Sequence, residues 1–270
     1  MTPSLSDRPN PEPPPVEQPL LQARNLYKSF GGLKAVNGAQ IEVRSGSITG
    51  LIGPNGAGKT TLFNLLSNFI RPDSGEVLLD GEPIHTLAPH QIARKGMVRT
   101  FQVARVLSRL SVLENMLLAG QDQAGEQFWQ VWLQSKRISR QQRELELQAM
   151  EILEAVGLAH MARDYAGSLS GGQRKLLEMG RALMVRPKLL LLDEPAAGVN
   201  PALIEKICDR IQAWNQEGLT FLIVEHNMDV IMSLCDRVWV LAEGQNLADG
   251  PPAAIQTDRR VLEAYLGQTA

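Results

Sequence analysis

The stretch Gly53–Thr60 constrains this chain more than any other, because it fits the phosphate-loop pattern G-x-x-x-x-G-K-[ST]. The apolar run Ile48–Ile52 precedes it and has the length of a buried strand. Apolar residues at helical spacing follow it, namely Leu62, Leu65, Leu66 and Phe69. Glycines let backbone N–H groups turn inward toward phosphates, and a helix N-terminus adds positive potential. The sequence therefore predicts a nucleotide site, with Lys59 at the β- and γ-phosphates and Thr60 on Mg²⁺.

Two acidic residues, Asp193 and Glu194, follow the apolar run Leu189–Leu192. In an open α/β sheet the carboxyl ends of the strands face the ligand crevice. We expect Asp193 to hold Mg²⁺, and Glu194 to orient the attacking water or accept its proton. Neighbouring side chains on a strand point to opposite faces, so both can serve only if the strand ends here. Pro195 favours such an end, since proline cannot continue a central strand.

The order of apolar runs and turns predicts an α/β fold. We expect antiparallel strands in 21–52, a strand at Glu76–Leu79 and a mostly helical region over 104–185. Within that region, Gln141–Val156 carries an apolar stripe that we interpret as core. Two short strands flank a helix farther along the chain: Leu189–Leu192, Pro201–Trp214 and Phe221–Val224. Strands that alternate with helices indicate a mostly parallel sheet.

Composition narrows the class of protein. A length of 270 residues with 44% hydrophobic residues suits a single α/β domain. A net charge of -2 disfavours a nucleic-acid partner. The two cysteines, Cys208 and Cys235, have neither metal nor redox spacing and are expected as buried or half-buried thiols.

The first 19 residues are rich in proline and lack the features of a signal peptide, so we expect a disordered tail. The folded domain is predicted over 20–270. No apolar run reaches the roughly 18 to 20 residues that span a bilayer. Any membrane role is therefore expected to be peripheral.

The sequence Leu-Ser-Gly-Gly-Gln at 169–173 resembles the signature motif of ABC ATPases, and it precedes Asp193 as it does in that family. A serine hydroxyl and exposed glycine amides at a helix start form an anion site. In the family, this site closes over the γ-phosphate held by the opposite subunit of a dimer. The resemblance implies a P-loop NTPase fold with a RecA-like parallel-sheet core, an antiparallel β subdomain and a helical subdomain at about 104–185.

Other positions match family roles one by one. Gln102 resembles the loop glutamine that senses the γ-phosphate and Mg²⁺, and His226 resembles the switch histidine. Phe30 stands where the family stacks an aromatic ring on adenine. The resemblance implies catalytic roles for Glu194, His226 and Gln102, and Mg²⁺ contacts from Thr60, Gln102 and Asp193. The implied nucleotide contacts are Phe30, Gly53, Asn55, Gly56, Gly58, Lys59, Thr60, Thr61, Ser170, Gly171 and Gly172.

One position departs from the family pattern. Asn200 stands where many members have Asp. An asparagine can still hydrogen-bond across a dimer interface, but it carries no charge. The resemblance therefore does not imply a role in subunit communication that needs a carboxylate at this position.

Several longer stretches resemble the ATP-binding subunits of bacterial transporters that import branched-chain or hydrophobic amino acids. These stretches are Ser29–Val36, Arg99–Gln102, Asp193–Gly198, Asn200–Pro201, Val224–Met228 and Ala264–Gly267. The resemblance implies permease subunits, a second identical or related ATPase subunit and an external solute-binding protein. It places the chain peripherally on the cytoplasmic face of the bacterial inner membrane, with ATP and Mg²⁺ as ligands. The Gln102 loop and about Val103–Asn115 would receive a permease helix.

Three alternatives remain open at this point. The ATPase of lipopolysaccharide export shares the motif order and the Tyr-Leu-Gly ending, and urea-importer ATPases are also similar. Soluble ABC ATPases act in DNA repair, chromosome organisation and translation. The short spacing between Gln102 and Ser170, without sustained heptads, argues against the coiled-coil members.

Overall fold

The computed structural model describes residues 18–100, 106–120 and 135–266. Its strands are β1 Leu21–Phe30, β2 Leu33–Val43, β3 Ile48–Ile52, β4 Ser74–Leu79, β5 Glu82–Pro83, β6 Met97–Arg99, β7 Leu189–Asp193, β8 Thr220–Val224, β9 Arg237–Ala242 and β10 Gln245–Gly250. Its helices are α1 Lys59–Leu66, α2 Pro89–Arg94, α3 Val112–Leu117, α4 Ser135–Ala155, α5 Gly171–Leu183, α6 Pro201–Gln216, α7 Met228–Leu234, α8 Pro252–Thr257 and α9 Arg259–Leu266.

The larger sheet has six strands in the order β10-β9-β3-β8-β7-β6. Five of them run parallel, and β10 pairs antiparallel with β9 at one edge. Every residue of β3, β7 and β8 is buried, as expected for parallel strands covered on both faces. This sheet confirms the predicted parallel core. Its central strands end side by side at the functional site.

The smaller sheet is antiparallel, with four strands in the order β2-β1-β4-β5. Its apolar side packs with α1 and with one face of the parallel sheet in a shared core. Phe63 of α1 and Leu51 of β3 are fully buried there. The predicted antiparallel subdomain is therefore confirmed, and it covers the phosphate-loop helix.

Between β6 and β7 the described residues form helices, turns and one isolated bridge, Ser111 to Tyr165. The stripe of α4 packs inward, because Ala149 and Leu153 are buried among residues of α3 and α5. This result agrees with the interpretation of the stripe as core. Within the described part of the chain, no helix is both long and apolar enough to span a membrane.

The helix after the phosphate loop is shorter than its apolar spacing predicts. It ends at Leu66, because Asn68 adopts a left-handed φ of 51° that a continuing α-helix does not allow. Phe69 therefore lies beyond the helix and is 48% exposed. The prediction that Phe69 belongs to this helix was therefore wrong.

The two cysteines match the prediction of structural thiols. Cys235 is buried and Cys208 is half-buried, and both are free. Burial raises the pKa of the Cys235 thiol to about 12, so this thiol stays protonated at neutral pH.

Candidate active site

The phosphate loop joins β3 to α1 and is pressed between two other segments. Gly53 has a φ of 154° and Gly58 a φ of 95°. A Cβ atom on Gly58 would lie 2.3 Å from the Ala35 carbonyl oxygen, and one on Gly53 would lie 2.1 Å from that of Leu241. Strands β2 and β9 thus approach so closely that only glycine fits at either end of the loop.

Lys59 lies under this loop and is 6% exposed. Its Nζ donates to the carbonyls of Gly53, at 2.7 Å, and Pro54, at 2.9 Å. Burial lowers the pKa of Lys59, and the negative charge of Glu194 opposes this lowering. The ammonium is therefore held at the loop, within the field of the Glu194 carboxylate, which directly follows β7. At the crest of the loop and the start of α1, Asn55, Gly56 and Thr60 are exposed, and Thr61 is half-buried.

Asp193 is the last residue of β7, and its carboxylate is 7% exposed. Oδ2 of Asp193 accepts a hydrogen bond from Nη2 of Arg99 at 2.8 Å. Nη1 of Arg99 donates to Asn64 Oδ1 at 2.6 Å and to Ser67 Oγ at 3.0 Å. Its guanidinium also lies 4.6 Å from the ring centre of Phe63. Arg99 thereby ties the carboxylate at the end of β7 to the phosphate-loop helix.

This role of Arg99 was not predicted from the sequence, where the residue stands out only as part of the stretch Arg99–Gln102. Burial lowers the pKa of Arg99, and the hydrogen bond and charge of Asp193 oppose the lowering. A guanidinium that is 8% exposed needs such a partner, because an unpaired buried charge is strongly unfavourable. In the sequence, an arginine at the end of the otherwise apolar strand β6 was the feature that could have indicated a buried ion pair.

Glu194 turns the chain sharply away from the sheet. Its φ is 49°, and its N–H donates to the Val224 carbonyl of β8 at 2.9 Å. The strand therefore ends at Asp193, and Glu194 adopts a left-handed conformation before Pro195. This end of the strand is the condition under which both Asp193 and Glu194 can serve the site. Oε1 of Glu194 lies 2.7 Å from Nε2 of His226. The structure thus brings together two of the predicted catalytic residues.

Glu225 is a second site residue that the sequence analysis did not single out. It follows β8 directly and is 3% exposed. Its Oε1 accepts from the Ala196 N–H at 2.6 Å, and its Oε2 accepts from the N–H groups of His226 and Asn227 at 3.1 and 3.4 Å. One buried carboxylate therefore connects the segment after Glu194 to the loop that carries His226.

Ser170 caps helix α5 and is exposed. Its Oγ accepts from the Gln173 N–H at 3.3 Å, while the Gln173 side chain accepts from the Ser170 N–H at 2.9 Å. Gly171 is exposed, whereas Gly172 is buried beside Leu203 of α6. The signature segment therefore presents its serine and first glycine to the surface.

Asn200 has a local role that the sequence analysis missed. It caps α6, and its Oδ1 accepts from the Leu203 N–H at 2.9 Å. Asparagine favours this position because its short side chain reaches the free N–H groups of the first turn.

Phe30 ends β1 and is 48% exposed, with Lys28 Nζ at 5.7 Å from the ring centre. Its ring is therefore available to a planar ligand, and the stacking role stays a prediction. Gln102 lies outside the described residues, as does Val103 in the segment predicted to receive a permease helix. The roles of Gln102 and of that segment also stay predictions.

The side chains of Thr60 and Asp193 suit a magnesium ion that takes its other ligands from substrate phosphates and water. In the described ranges, no three His, Cys, Asp or Glu side chains are grouped to hold a metal. The Thr60 hydroxyl and the Asp193 carboxylate are hard oxygen donors, the type that Mg²⁺ prefers. Because Mg²⁺ usually takes only one or two protein ligands beside substrate phosphates, this donor set fits it.

Comparison with known proteins identifies the family. The pattern of the ABC transporter family matches residues 36–197, and that of the branched-chain amino acid ATP-binding cassette transporter matches residues 245–270. A probable branched-chain amino acid transport ATP-binding protein of Archaeoglobus fulgidus is 44% identical, over 92% of this chain and 95% of that protein. A high-affinity branched-chain amino acid transport ATP-binding protein of Pseudomonas aeruginosa is 41% identical, over 94% of this chain and 100% of that protein.

Solved structures agree with this family. The chain superimposes on a nucleotide-free ATP-binding cassette from an ABC transporter with a TM-score of 0.79 and 37% identity, covering 92% of this chain and 98% of that one. An ADP conformation of an ATP-binding cassette also gives a TM-score of 0.79 at 37% identity, covering 93% and 99%. The chain therefore belongs to the ABC transporter family, as an ATP-hydrolysing subunit.

Proposed function

We propose that this chain hydrolyses ATP to drive the import of branched-chain amino acids through separate permease chains. The observation that carries the substrate is the similarity to named branched-chain amino acid transport ATP-binding proteins along nearly the whole chain. The match of the C-terminal segment 245–270 to the branched-chain family supports it independently. Neither observation favours lipopolysaccharide export or urea import.

In this proposal, the described residues divide the chemistry of hydrolysis among them. Lys59 and the loop N–H groups bind the phosphates, while Thr60 and Asp193 are the protein ligands for Mg²⁺. When bound, Mg²⁺ would neutralise part of the phosphate charge. Glu194 orients the attacking water and accepts its proton. His226, at 2.7 Å from Glu194, fixes the direction of that carboxylate.

The exposed signature segment supports a second proposed feature, a composite site. Ser170 and Gly171 sit at the start of a helix of 13 residues, where N–H groups and the helix dipole favour an anion. We propose that they close over the γ-phosphate held by a second ATPase subunit, identical or related. ATP then closes the pair by binding the closed state more tightly than the open one.

The location and the remaining partners belong to the same proposal. The chain would lie on the cytoplasmic face of the membrane against its permeases, and an external binding protein would deliver the amino acid. The similarity to transport ATP-binding proteins supports this arrangement.

Uptake of radiolabelled leucine by cells that natively carry this chain tests the proposal. Deletion of the chain should abolish the uptake, and the wild-type chain should restore it. Glu194→Gln should not restore it. Glu217→Gln, the same change at an exposed position after α6, should restore it fully. Leucine uptake that survives deletion, together with a loss of urea uptake or of lipopolysaccharide export, would overturn the assigned substrate.

A further inference from the structure

Lys175 connects the signature helix to the turn that carries the catalytic glutamate. It lies in the second turn of α5, beyond the cap formed by Ser170. Its Nζ donates to the Glu194 carbonyl at 2.7 Å and to the Ala197 carbonyl at 2.6 Å. The Ala197 N–H also donates to the Glu194 carbonyl, at 3.1 Å. Lys175 thus holds both ends of one turn, Glu194–Ala197, here called the catalytic turn.

The catalytic turn needs such support because its first residue is strained. Glu194 has a φ of 49°, and a left-handed conformation costs a residue with a Cβ roughly 1–2 kcal/mol. Strained residues of this kind persist only where surrounding contacts determine them. Two of the contacts come from β8 and the residue after it, through the Val224 carbonyl and the Glu225 carboxylate. The contact from Lys175 comes instead from the helical region.

Carboxylates near Lys175 offset part of the cost of burying its charge. Its side chain is half-buried, and this burial lowers its pKa. The charges of four carboxylates oppose that lowering: Glu178 on the same helix, Asp193 at the end of β7, and Glu194 and Glu225 directly after β7 and β8. A neutral side chain of the same length would remove the Lys175 donor from both carbonyls, leave the Glu194 carbonyl with the Ala197 N–H and take the counter-charge from the carboxylates.

We propose that Lys175 is a positioning residue that couples movement of the signature helix to the placement of Glu194 within one chain. The inference rests on the proposed roles of Ser170 and Glu194. In the proposed pair, Ser170 acts on the nucleotide of the partner, whereas Glu194 acts on the nucleotide of its own chain. Lys175 therefore links one composite site to the other through α5, and it touches no reacting atom.

Steady-state ATP hydrolysis and ATP binding by the purified full-length chain test this inference. Lys175→Met should lower kcat by about 10- to 100-fold, the scale of a misplaced catalytic group, with KM and ATP affinity within about threefold of wild type. Lys175→Arg keeps the positive charge and can still donate to both carbonyls, so it should recover most of the turnover. Lys188→Met is the matched control, because Lys188 is exposed and pairs with Asp80 on the surface. It should hydrolyse ATP as wild type does.

The outcomes separate this inference from the proposed function. A folded Lys175→Met chain with wild-type kcat, measured beside a Glu194→Gln chain that has lost turnover, would overturn the role of Lys175 alone. If Lys175→Met does not fold, Lys175→Arg decides: retained turnover supports the inference, and a loss as large as that of Glu194→Gln contradicts it. Normal turnover by Glu194→Gln would remove the proposed role of Glu194, and the inference with it.

Discussion

Replacement of Arg99 by methionine should destabilise the chain strongly, because Asp193 would lose its buried partner. The two side chains are 8% and 7% exposed and lie 2.8 Å apart. Removing one member of a buried ion pair typically costs about 3–5 kcal/mol. The contacts of Arg99 with Asn64, Ser67 and the Phe63 ring place Arg99→Met toward the upper end of this range. Since the free energy of unfolding of a domain is about 5–15 kcal/mol, the variant should still fold, with a greatly reduced free energy of unfolding.

A double-mutant cycle separates the ion pair from general disruption. Asp193→Asn alone should also be destabilising, because the guanidinium stays buried. The double variant removes both charges and should lose less than the sum of the single variants, by about 1–3 kcal/mol. Urea unfolding followed by tryptophan fluorescence measures each free energy of unfolding, with an unchanged urea dependence as the check on two-state behaviour.

The Lys188–Asp80 pair provides the matched control for this cycle. Its atoms lie at the same 2.8 Å, but the two side chains are 58% and 65% exposed. Water and salt screen such a pair, so its coupling should be far smaller than that of Arg99 and Asp193. Equal coupling in the two cycles, or strict additivity for Arg99 and Asp193, would refute the reasoning from burial.

Three further predictions concern the loop and the helix caps. Gly58→Ala should destabilise the chain by at least about 1–2 kcal/mol, because its Cβ would lie 2.3 Å from the Ala35 carbonyl oxygen at a φ of 95°. The same variant should lose ATP binding in a titration, and unchanged ATP affinity would contradict this prediction. Asn200→Ala should cost about 0.5–2 kcal/mol in urea unfolding through loss of the cap at the Leu203 N–H, and no change would show that the cap contributes nothing. Ser170→Arg should block hydrolysis while ATP binding remains, and outright loss of binding would contradict the composite site.

The sequence predicted those parts of the fold that depend on local patterns. Continuous apolar runs identified β3, β7 and β8, since strands buried on both faces need no polar alternation. The phosphate-loop pattern located the site, because Gly53 and Gly58 occupy backbone conformations and close contacts that only glycine accommodates. The helical spacing that included Phe69 failed, since the left-handed Asn68 ends α1 first.

The missed site residues make contacts that no local pattern reveals. Arg99 meets Asp193 across neighbouring strands, and Lys175 binds main-chain carbonyls, which every residue possesses. Glu225 was visible as a carboxylate beside a buried strand, but its role depends on the fold bringing the Ala196 N–H to it. The pairing of Glu194 with His226 likewise required the order of the strands, which places the ends of β7 and β8 together.

The most direct test of the assigned catalytic site is the rate of ATP hydrolysis by the Glu194→Gln variant, measured beside its ATP affinity on the same purified chain. We predict that turnover falls by roughly 10²–10⁴, the scale for loss of a general base. ATP affinity should stay within about threefold of wild type, because Lys59 and the phosphate loop are untouched. Steady-state hydrolysis at the wild-type rate would contradict the assigned catalytic site.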